Sequence, residues 1–355
     1  MSFPSDDSEI ESLVQDLEKL SHNLPSLKHS KWIQRALAVL VRLTGEEVDR
    51  LDWKILTATL EDLEQAFQIF YSYRHVRKVA MFGSARTQPQ DPEYEMARKF
   101  AQQITQRGFM AMTGGGGGIM EAGNKGATRD RSFGLNIQLP FEQSSNAYIE
   151  GDPKLINFKY FFTRKLFFLR ESDAIAIFPG GFGTMDEAFE ALTLSQTGKY
   201  GPVPLVLIDT PNASYWEEWN EYIYNHLVNR GLVSPEDDSI YTITHSIDEA
   251  CDTICKFYRV YHSSRYVGGQ FVMRLNCELT AEAVEQLNAE YSDILVKGCI
   301  EKSAALPPEQ KDETAHLPRL VFYYNQKDAA RLTQMIRDVN RLGTNQSAQK
   351  HPEWK

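Results

Sequence analysis

The stretch PGGFGTMDE, residues 179–187, decides the fold class of this 355-residue chain. It follows an apolar run at 174–178 and precedes a helical pattern at 188–194. A strand, a glycine turn and a helix N-terminus together make an anion site, because glycines allow a close backbone approach and the first N–H groups of a helix attract phosphate. We therefore expect this turn to bind a phosphorylated ligand.

Two carboxylates, Asp186 and Glu187, end this stretch, and we place both within the first helical turn. A site that only holds phosphate gains nothing from a second negative charge, so Glu187 is a candidate reacting group. The alternative is that Glu187 only complements the positive end of the helix dipole. Position alone does not distinguish the two interpretations.

Bulk composition is typical of a soluble enzyme. The net charge of −10 argues against a nucleic-acid-binding chain. A long uncharged apolar run is absent from the sequence, so we expect no membrane span, and the acidic, polar N-terminus does not resemble a secretory signal. The four cysteines are too few for a disulfide framework and lack histidines at zinc-like spacing. We expect reduced cysteines, no metal site and a cytoplasmic location.

Residues 1–76 have the periodicity of a helical block. Helices are predicted at 8–22, 31–43 and 53–73. The block has no catalytic-looking constellation, so its expected role is packing, either against the core domain or against another subunit.

Residues 77–261 alternate short apolar runs with longer amphipathic segments. This pattern predicts an α/β domain with a Rossmann-like, doubly wound parallel sheet. The predicted strands lie at 79–82, 109–112, 134–139, 174–178 and 203–208. The predicted helices lie at 92–107, 119–128, 160–170, 187–195, 215–229 and 247–258.

Residues 262–342 predict a small α/β module, either ferredoxin-like or ligand-sensing. Regulation is one expected role of this module. Residues 343–355 predict a mobile tail. The predicted order is strand, helix, strand, loop, strand, helix, after a glycine-containing loop at 265–270. The polar, proline-containing segment 303–318 is expected to be loop or partly disordered.

Three glycine-containing turns follow predicted strands, at Gly83–Ser84, Gly114–Gly118 and Gly180–Gly183. In an open parallel sheet all three turns lie at the edge where ligands bind. Neither glycine-rich turn fits the dinucleotide fingerprint, and the P-loop pattern is also missing. A mononucleotide therefore fits the turns better than a dinucleotide cofactor.

A basic pair, Arg164 and Lys165, lies on a predicted helix that is otherwise largely apolar. Such a helix is mostly buried, so the pair is expected to face an anion. The alternative is that both long side chains extend along the apolar surface to reach solvent.

Four motifs of the chain resemble those of the LOG family, cytokinin-activating phosphoribohydrolases often labelled possible lysine decarboxylases. The family signature P-G-G-x-G-T-x-x-E is matched in full at 179–187. Members also carry an Arg-Lys pair on a helix, a glycine-rich segment followed by methionine, and a strand-turn G-S. These are matched by Arg164 with Lys165, Gly114–Gly118 with Met120, and Gly83 with Ser84.

The resemblance implies a Rossmann-like fold, a homodimer or higher homo-oligomer, and hydrolysis of the N-glycosidic bond of nucleoside 5′-monophosphates to a free base and ribose 5-phosphate. By position, Arg164 and Glu187 are the catalytic pair, and Lys165 assists. No cofactor is expected, since no pattern marks a lysine as a pyridoxal phosphate Schiff base. The resemblance assigns phosphate and ribose binding to Gly83, Ser84, Gly114, Gly115, Gly116, Gly117, Gly118, Met120, Gly180, Gly181, Gly183 and Thr184.

This reaction suits the residues, because a carboxylate stabilises an oxocarbenium-like transition state or activates water. Arg164 is expected to bind ribose or phosphate and to keep Glu187 ionised. The wording of the motifs resembles a longer bacterial branch of the family. For that branch, AMP or another purine or pyrimidine monophosphate is as good a candidate substrate as a cytokinin riboside monophosphate. The rival function is a non-catalytic nucleotide-binding sensor or carrier on the same fold.

Overall fold

The computed structural model describes residues 7–138 and 145–344, and it divides into two compact units between Leu60 and Glu61. The first unit contains helices α1 (Asp7–Asn23) and α2 (Ser30–Thr44) and the beginning of α3 (Arg50–Tyr71). The three helices predicted from periodicity are therefore confirmed, and the ends of each agree to within three residues.

The second unit is built on a seven-stranded parallel sheet. Its spatial order is β4-β3-β2-β1-β5-β6-β7, which confirms the doubly wound α/β fold. The strands are β1 (Lys78–Phe82), β2 (Met110–Thr113), β3 (Ser132–Ile137), β4 (Leu155–Phe158), β5 (Ala174–Ile177), β6 (Leu205–Ile208) and β7 (Tyr241–Thr244).

Helices cover both faces of this sheet. Every residue of β1 is buried, because successive side chains pack against helices on opposite faces. Val79 and Met81 belong to one core cluster, and Ala80 and Phe82 to the other. The helices are α4 (Pro92–Gln106), α5 (Ile119–Ala127), α6 (Phe161–Glu171), α7 (Phe182–Gln196), α8 (Tyr215–Ile223), which continues as a π-helical turn to Val228, and α9 (Ile247–Phe257).

Three details of this domain differ from the sequence prediction. β4 and β7 were not predicted, and α7 begins at Phe182 rather than at Glu187. β3 ends at Ile137, whereas the predicted strand ran to Leu139, which lies outside the described residues. Short edge strands carry too few side chains to show a periodic pattern.

The C-terminal part of the second unit is a four-stranded antiparallel sheet with the order β10-β11-β9-β8. The loop predicted at 265–270 was wrong, because these residues belong to a hairpin that turns at Gly268 and Gly269, both with positive φ. The elements are β8 (Tyr261–Val267), β9 (Gln270–Leu275), α10 (Ala281–Glu290), β10 (Leu295–Ser303), β11 (Arg319–Tyr324) and α11 (Ala329–Thr344).

The observed order of this module is β-β-α-β-β-α. It matches the β-α-β-β-α-β order of a ferredoxin-like unit only after β8 is moved to the end, so the ferredoxin-like assignment stays a prediction. The domain boundaries at 76/77 and 261/262 also stay predictions. The predicted tail lies outside the described residues from 345 onward.

The segment between β10 and β11, expected to be loop or partly disordered, is anchored by a buried carboxylate. Glu309 is fully buried, and its two oxygens accept hydrogen bonds from Arg274 and Arg319. The Glu309 oxygen lies 3.0 Å from Nε of Arg319, which is also fully buried. Apart from one 3-10 turn at Pro307–Glu309 the segment is loop, which was one of the two expectations, and this ion pair fixes it to the sheet.

All four cysteines are free, and Cys299 is exposed rather than packed. Within the part of the chain that the structure describes, no helix is long and apolar enough to cross a membrane.

Candidate functional site

The three glycine turns meet at the carboxyl ends of neighbouring strands, β2, β1 and β5. This is where the strand order reverses, and it is the usual ligand position in such sheets. The turns contact one another directly: Ser84 N–H donates to the Pro179 carbonyl at 3.1 Å, and Ile119 N–H donates to the Ser84 carbonyl at 3.0 Å. The prediction that the turns share one edge is confirmed.

A cleft of about 880 Å³ opens at this edge. Its volume is within the range typical of small-molecule sites. Ten of the residues proposed from sequence line it: Gly83, Ser84, Gly114, Met120, Arg164, Gly180, Gly181, Gly183, Thr184 and Glu187.

The remaining four glycines of the second turn, Gly115 to Gly118, do not line the cleft. Asn146 donates from its side-chain amide to the carbonyls of Gly115 and Gly116, at 3.0 and 2.9 Å. Gly118 has a φ of +64°, and a Cβ there would lie 2.6 Å from the carbonyl carbon of Ala85. Gly118 therefore lets the second turn pack closely against the first, and the predicted role of these four glycines in binding stays a prediction.

The cleft has eight further lining residues that the sequence did not assign to the site: Met81, Phe82, Ala85, Arg86, Phe161, Phe182, Met185 and Asp186. Each is close in sequence to an assigned residue, which is the signal that could have identified them. A further contact, from the Tyr215 hydroxyl to the Gly180 carbonyl at 2.6 Å, joins α8 to the signature turn and had no sequence signal.

Glu187 is the sixth residue of α7 and lies beyond the first turn of that helix. The placement of Asp186 and Glu187 in the first turn was therefore wrong. The influence of the helix dipole falls off within that turn, so it does not explain a carboxylate at this position. Glu187 is also only 7% exposed, which is unusual for a glutamate.

Burial raises the pKa of Glu187 from 4.5 to about 7, although the neighbouring Lys165 and Arg164 act in the opposite direction. The sequence predicts that Arg164 keeps this carboxyl ionised. Arg164 does lower the pKa of Glu187, but burial raises it by more. Removal of the carboxylate from water outweighs the attraction of both cations. The result is a carboxyl group that changes protonation near neutral pH.

Lys165 does not line the cleft but faces the carboxylates of α7. Its Nζ lies 2.5 Å from Glu190, 2.8 Å from Asp186 and 3.8 Å from Glu187. The side chain is only 15% exposed, so Lys165 does not extend into solvent. The anions that Lys165 faces are therefore carboxylates of the protein itself.

Arg164 reaches the cleft across the end of β3. Its Nε donates a hydrogen bond to the Leu135 carbonyl at 2.7 Å, and its guanidinium carbon lies 5.2 Å from the centre of the Phe168 ring. A side chain at Gly114 would collide with a terminal nitrogen of this guanidinium. The first glycine of the second turn therefore makes room for Arg164.

Comparisons with known proteins agree with these motifs. The family model described as "Possible lysine decarboxylase" matches residues 117–254. Two proteins of Oryza sativa subsp. japonica, both named probable cytokinin riboside 5′-monophosphate phosphoribohydrolase, are similar to the chain. One is 27% identical, and the match covers 51% of this chain and 71% of that relative. The other is 32% identical, and the match covers 28% of this chain and 44% of that relative.

Over this part of the chain, both comparisons support a resemblance to the LOG family. The region matched by the family model contains Arg164 and the whole signature turn, whereas Gly83 and Ser84 precede it. The rice relatives are matched only in part, and the extra helices and the C-terminal module of this chain lie outside the matched 117–254 region.

Solved structures with a similar fold have low scores. They include a molybdenum cofactor binding protein from Rippkaea orientalis, at 21% identity and a TM-score of 0.35 over 51% of this chain and 96% of that chain. A Moco carrier protein from Chlamydomonas reinhardtii has 19% identity and a TM-score of 0.35 over the same shares. Such likenesses concern the fold alone. In the described residues, no group of three His, Cys, Asp or Glu side chains is arranged to hold a metal ion.

Proposed function

We propose that this chain hydrolyses the N-glycosidic bond of nucleoside 5′-monophosphates, releasing a free base and ribose 5-phosphate. The observation that carries the proposal is a buried carboxyl, Glu187, with a pKa near neutrality, in the same cleft as a glycine turn suited to phosphate. A protein that only binds nucleotides needs the turn but gains nothing from the buried carboxyl. The names of the rice relatives support this reaction class.

The phosphate is proposed to bind at the N-terminus of α7. The first N–H groups of a helix lack intrahelical partners and attract anions. A Cβ at Gly181 or Gly183 would meet no atom within 4 Å, and both glycines line the cleft. They leave open space where a phosphate can approach the backbone. Gly180 differs, because a Cβ there would lie 2.9 Å from the Ser84 nitrogen.

In the proposed reaction the glycosidic C–N bond breaks and the oxygen of a water molecule bonds to the anomeric carbon of ribose. Glu187, when ionised, accepts the proton that this water loses and stabilises the positive charge that develops on the sugar. The leaving base takes up a proton from solvent. Arg164 binds the ribose or the phosphate, and Lys165 stays paired with the carboxylates of α7.

AMP and a cytokinin riboside monophosphate are the proposed substrates. Apolar side chains of the cleft, namely Met120, Phe161, Phe182 and Met185, provide surfaces on which a purine ring can pack. Both candidate substrates contain a purine.

The decisive experiment is incubation of the chain with AMP and chromatographic detection of free adenine and ribose 5-phosphate. We expect release by the wild type and none above background by Glu187→Ala, while calorimetry shows that the variant still binds AMP. AMP binding without adenine release by the wild type would instead identify a nucleotide sensor or carrier. Normal turnover by Glu187→Ala would refute the role of Glu187.

We also propose a homodimer, because the helices that carry the catalytic pair leave apolar side chains exposed. Phe161, Phe162 and Leu166 of α6 are 51, 54 and 48% exposed, and Phe189 of α7 is 40% exposed. A second copy packed on this surface removes it from water. Light scattering is expected to give twice the chain mass for the wild type and a lower mass for Phe162→Glu. A monomeric wild type would contradict the proposal.

A further inference from the structure

The helix that carries Arg164, α6, starts without a cap from its own N-terminal residue. The N-cap residue is Tyr160, and its side chain makes no capping hydrogen bond. The two residues that lead into α6, Lys159 and Tyr160, instead donate their backbone N–H groups to a side-chain carboxylate. Here the start of α6 lies immediately before the residue that enters the cleft.

The acceptor is Asp62, a residue of α3 that is only 5% exposed. Its two carboxylate oxygens lie 3.0 and 3.1 Å from the Lys159 nitrogen, and one of them lies 3.4 Å from the Tyr160 nitrogen. The hydroxyl of Thr163 donates to the same carboxylate at 2.5 Å. One side chain thus holds both the two residues that lead into α6 and Thr163 of its first turn.

Asp62 is itself held in place by the core. Asp62, Ala66 and Phe70 are four residues apart and therefore lie on one face of α3. All three are buried, and the Phe70 ring stacks on Phe133 of β3 at 4.9 Å and on Phe167 of α6 at 5.9 Å. The carboxylate is thus attached to the same core that holds α6.

We infer that Asp62 is a positioning residue for Arg164, acting through the first turn of α6. Thr163, which donates to Asp62, directly precedes Arg164, whose Nε must reach the Leu135 carbonyl and whose guanidinium must fit beside Gly114. A small rotation of this turn moves the guanidinium within the cleft. Asp62 lies outside the region that the family model matches, so a helix beyond that region, α3, supplies part of the active-site support. This inference rests on the proposed hydrolase function.

The test uses the full chain with Asp62→Ala, Asp62→Asn and Thr163→Val. We expect Asp62→Ala to lower kcat/KM for AMP by about 10- to 100-fold, mostly through kcat, because small misplacement of a catalytic group has effects of that size. Asn keeps one acceptor oxygen and should restore activity to within about 3-fold of the wild type. Thr163→Val removes the contacts of the hydroxyl with the Asp62 carboxylate and the Tyr160 carbonyl but leaves the two backbone N–H donors on Asp62. It should give an intermediate loss, which remains measurable if Asp62→Ala does not fold.

Ser246→Ala is the matched control, because Ser246 caps α9 through the Glu249 nitrogen and α9 carries no proposed site residue. Its activity should stay at the wild-type value when all variants are compared at equal distances below their melting temperatures. A loss equal to that of Asp62→Ala would show a general effect of stability and overturn the inference. Unchanged kcat in both Asp62→Ala and Thr163→Val would overturn it as well.

A second readout does not depend on catalysis. The Nε–H resonance of Arg164, assigned by its loss in Arg164→Lys, reports the hydrogen bond to the Leu135 carbonyl. It should shift or broaden in Asp62→Ala and return in Asp62→Asn, and an unchanged resonance in Asp62→Ala would contradict the positioning role. If the wild type released no adenine, the proposed function would fail while this resonance still decided the role of Asp62.

Discussion

Replacement of Glu187 by glutamine should stabilise the folded protein at alkaline pH while abolishing adenine release. Glu187 is 7% exposed, and burial raises its pKa from 4.5 to about 7. The glutamine side chain would have nearly the same shape and no charge at any pH. Lys165 would keep its contacts with Asp186 and Glu190, so the change does not leave Lys165 without a carboxylate partner.

The sign of the effect follows from proton binding. The folded state holds the proton of Glu187 more tightly than the unfolded state, so the free energy of unfolding of the wild type falls as the pH rises from 4.5 to about 7. At about 1.4 kcal/mol per pKa unit, the buried carboxylate costs about 3 kcal/mol when fully ionised. Between about pH 5 and about pH 8 the contribution changes by about 2.5 kcal/mol.

The measurement is urea unfolding of the wild type and Glu187→Gln at those two pH values. The stability of the variant relative to the wild type should increase by about 2.5 kcal/mol from the lower to the higher pH. Other titrating groups are shared by both proteins and cancel in this difference.

A pH-independent difference between Glu187→Gln and the wild type would show that Glu187 has an ordinary pKa in the folded chain. Burial would then not outweigh the attraction of Lys165 and Arg164, and the carboxyl would not be poised to accept a proton near neutral pH.

The same geometry predicts three further effects of pH and of substitution. The kcat/KM for AMP should rise with pH and level off above an apparent pKa of about 7, because the ionised form of Glu187 accepts the proton. A profile that is flat from about pH 5 to 9 would contradict this role. Gly181→Ala should fold normally but raise KM for AMP, because its Cβ occupies space that is open to the ligand. Gly180→Ala should lower the free energy of unfolding by about 1–3 kcal/mol, because its Cβ overpacks against the neighbouring turn, and calorimetry with kinetics separates the two effects. Glu309→Ala should lower the free energy of unfolding by about 3–5 kcal/mol in thermal or urea unfolding, because it leaves buried guanidinium groups such as that of Arg319 without their carboxylate. An effect below about 1 kcal/mol would show that the ion pair is dispensable.

Much of the fold could be predicted from local pattern. Buried strands such as β1 and β5 are continuous apolar runs, and long helices such as α2 and α4 repeat their apolar residues with helical spacing. The strands that sequence reasoning missed are different in kind. β7 is a short, half-buried edge strand, and β8 contains His262, Ser263 and Ser264, which a pattern search assigns to loop. Their partners in the sheet, rather than their own side chains, determine that they are strands.

The hairpin of the C-terminal module did carry a usable signal. Gly268 and Gly269 stand between β8 and β9, and two glycines in succession are typical of a two-residue hairpin turn. The anchoring of Glu309 had no such signal, since its partners are 35 and 10 residues away in sequence. Only the tertiary structure brings those three side chains together.

The sequence by itself determined that a phosphate-type turn, a carboxylate and a basic pair belong to one α/β domain, because strand, glycine turn and helix are local patterns. The tertiary structure decided what each group does. It buries Glu187 and so raises its pKa, it turns Lys165 toward the acids of α7, and it brings Asp62 from a distant helix to the start of α6. Burial and long-range hydrogen bonds depend on which elements pack together, and no local spacing of residues encodes that.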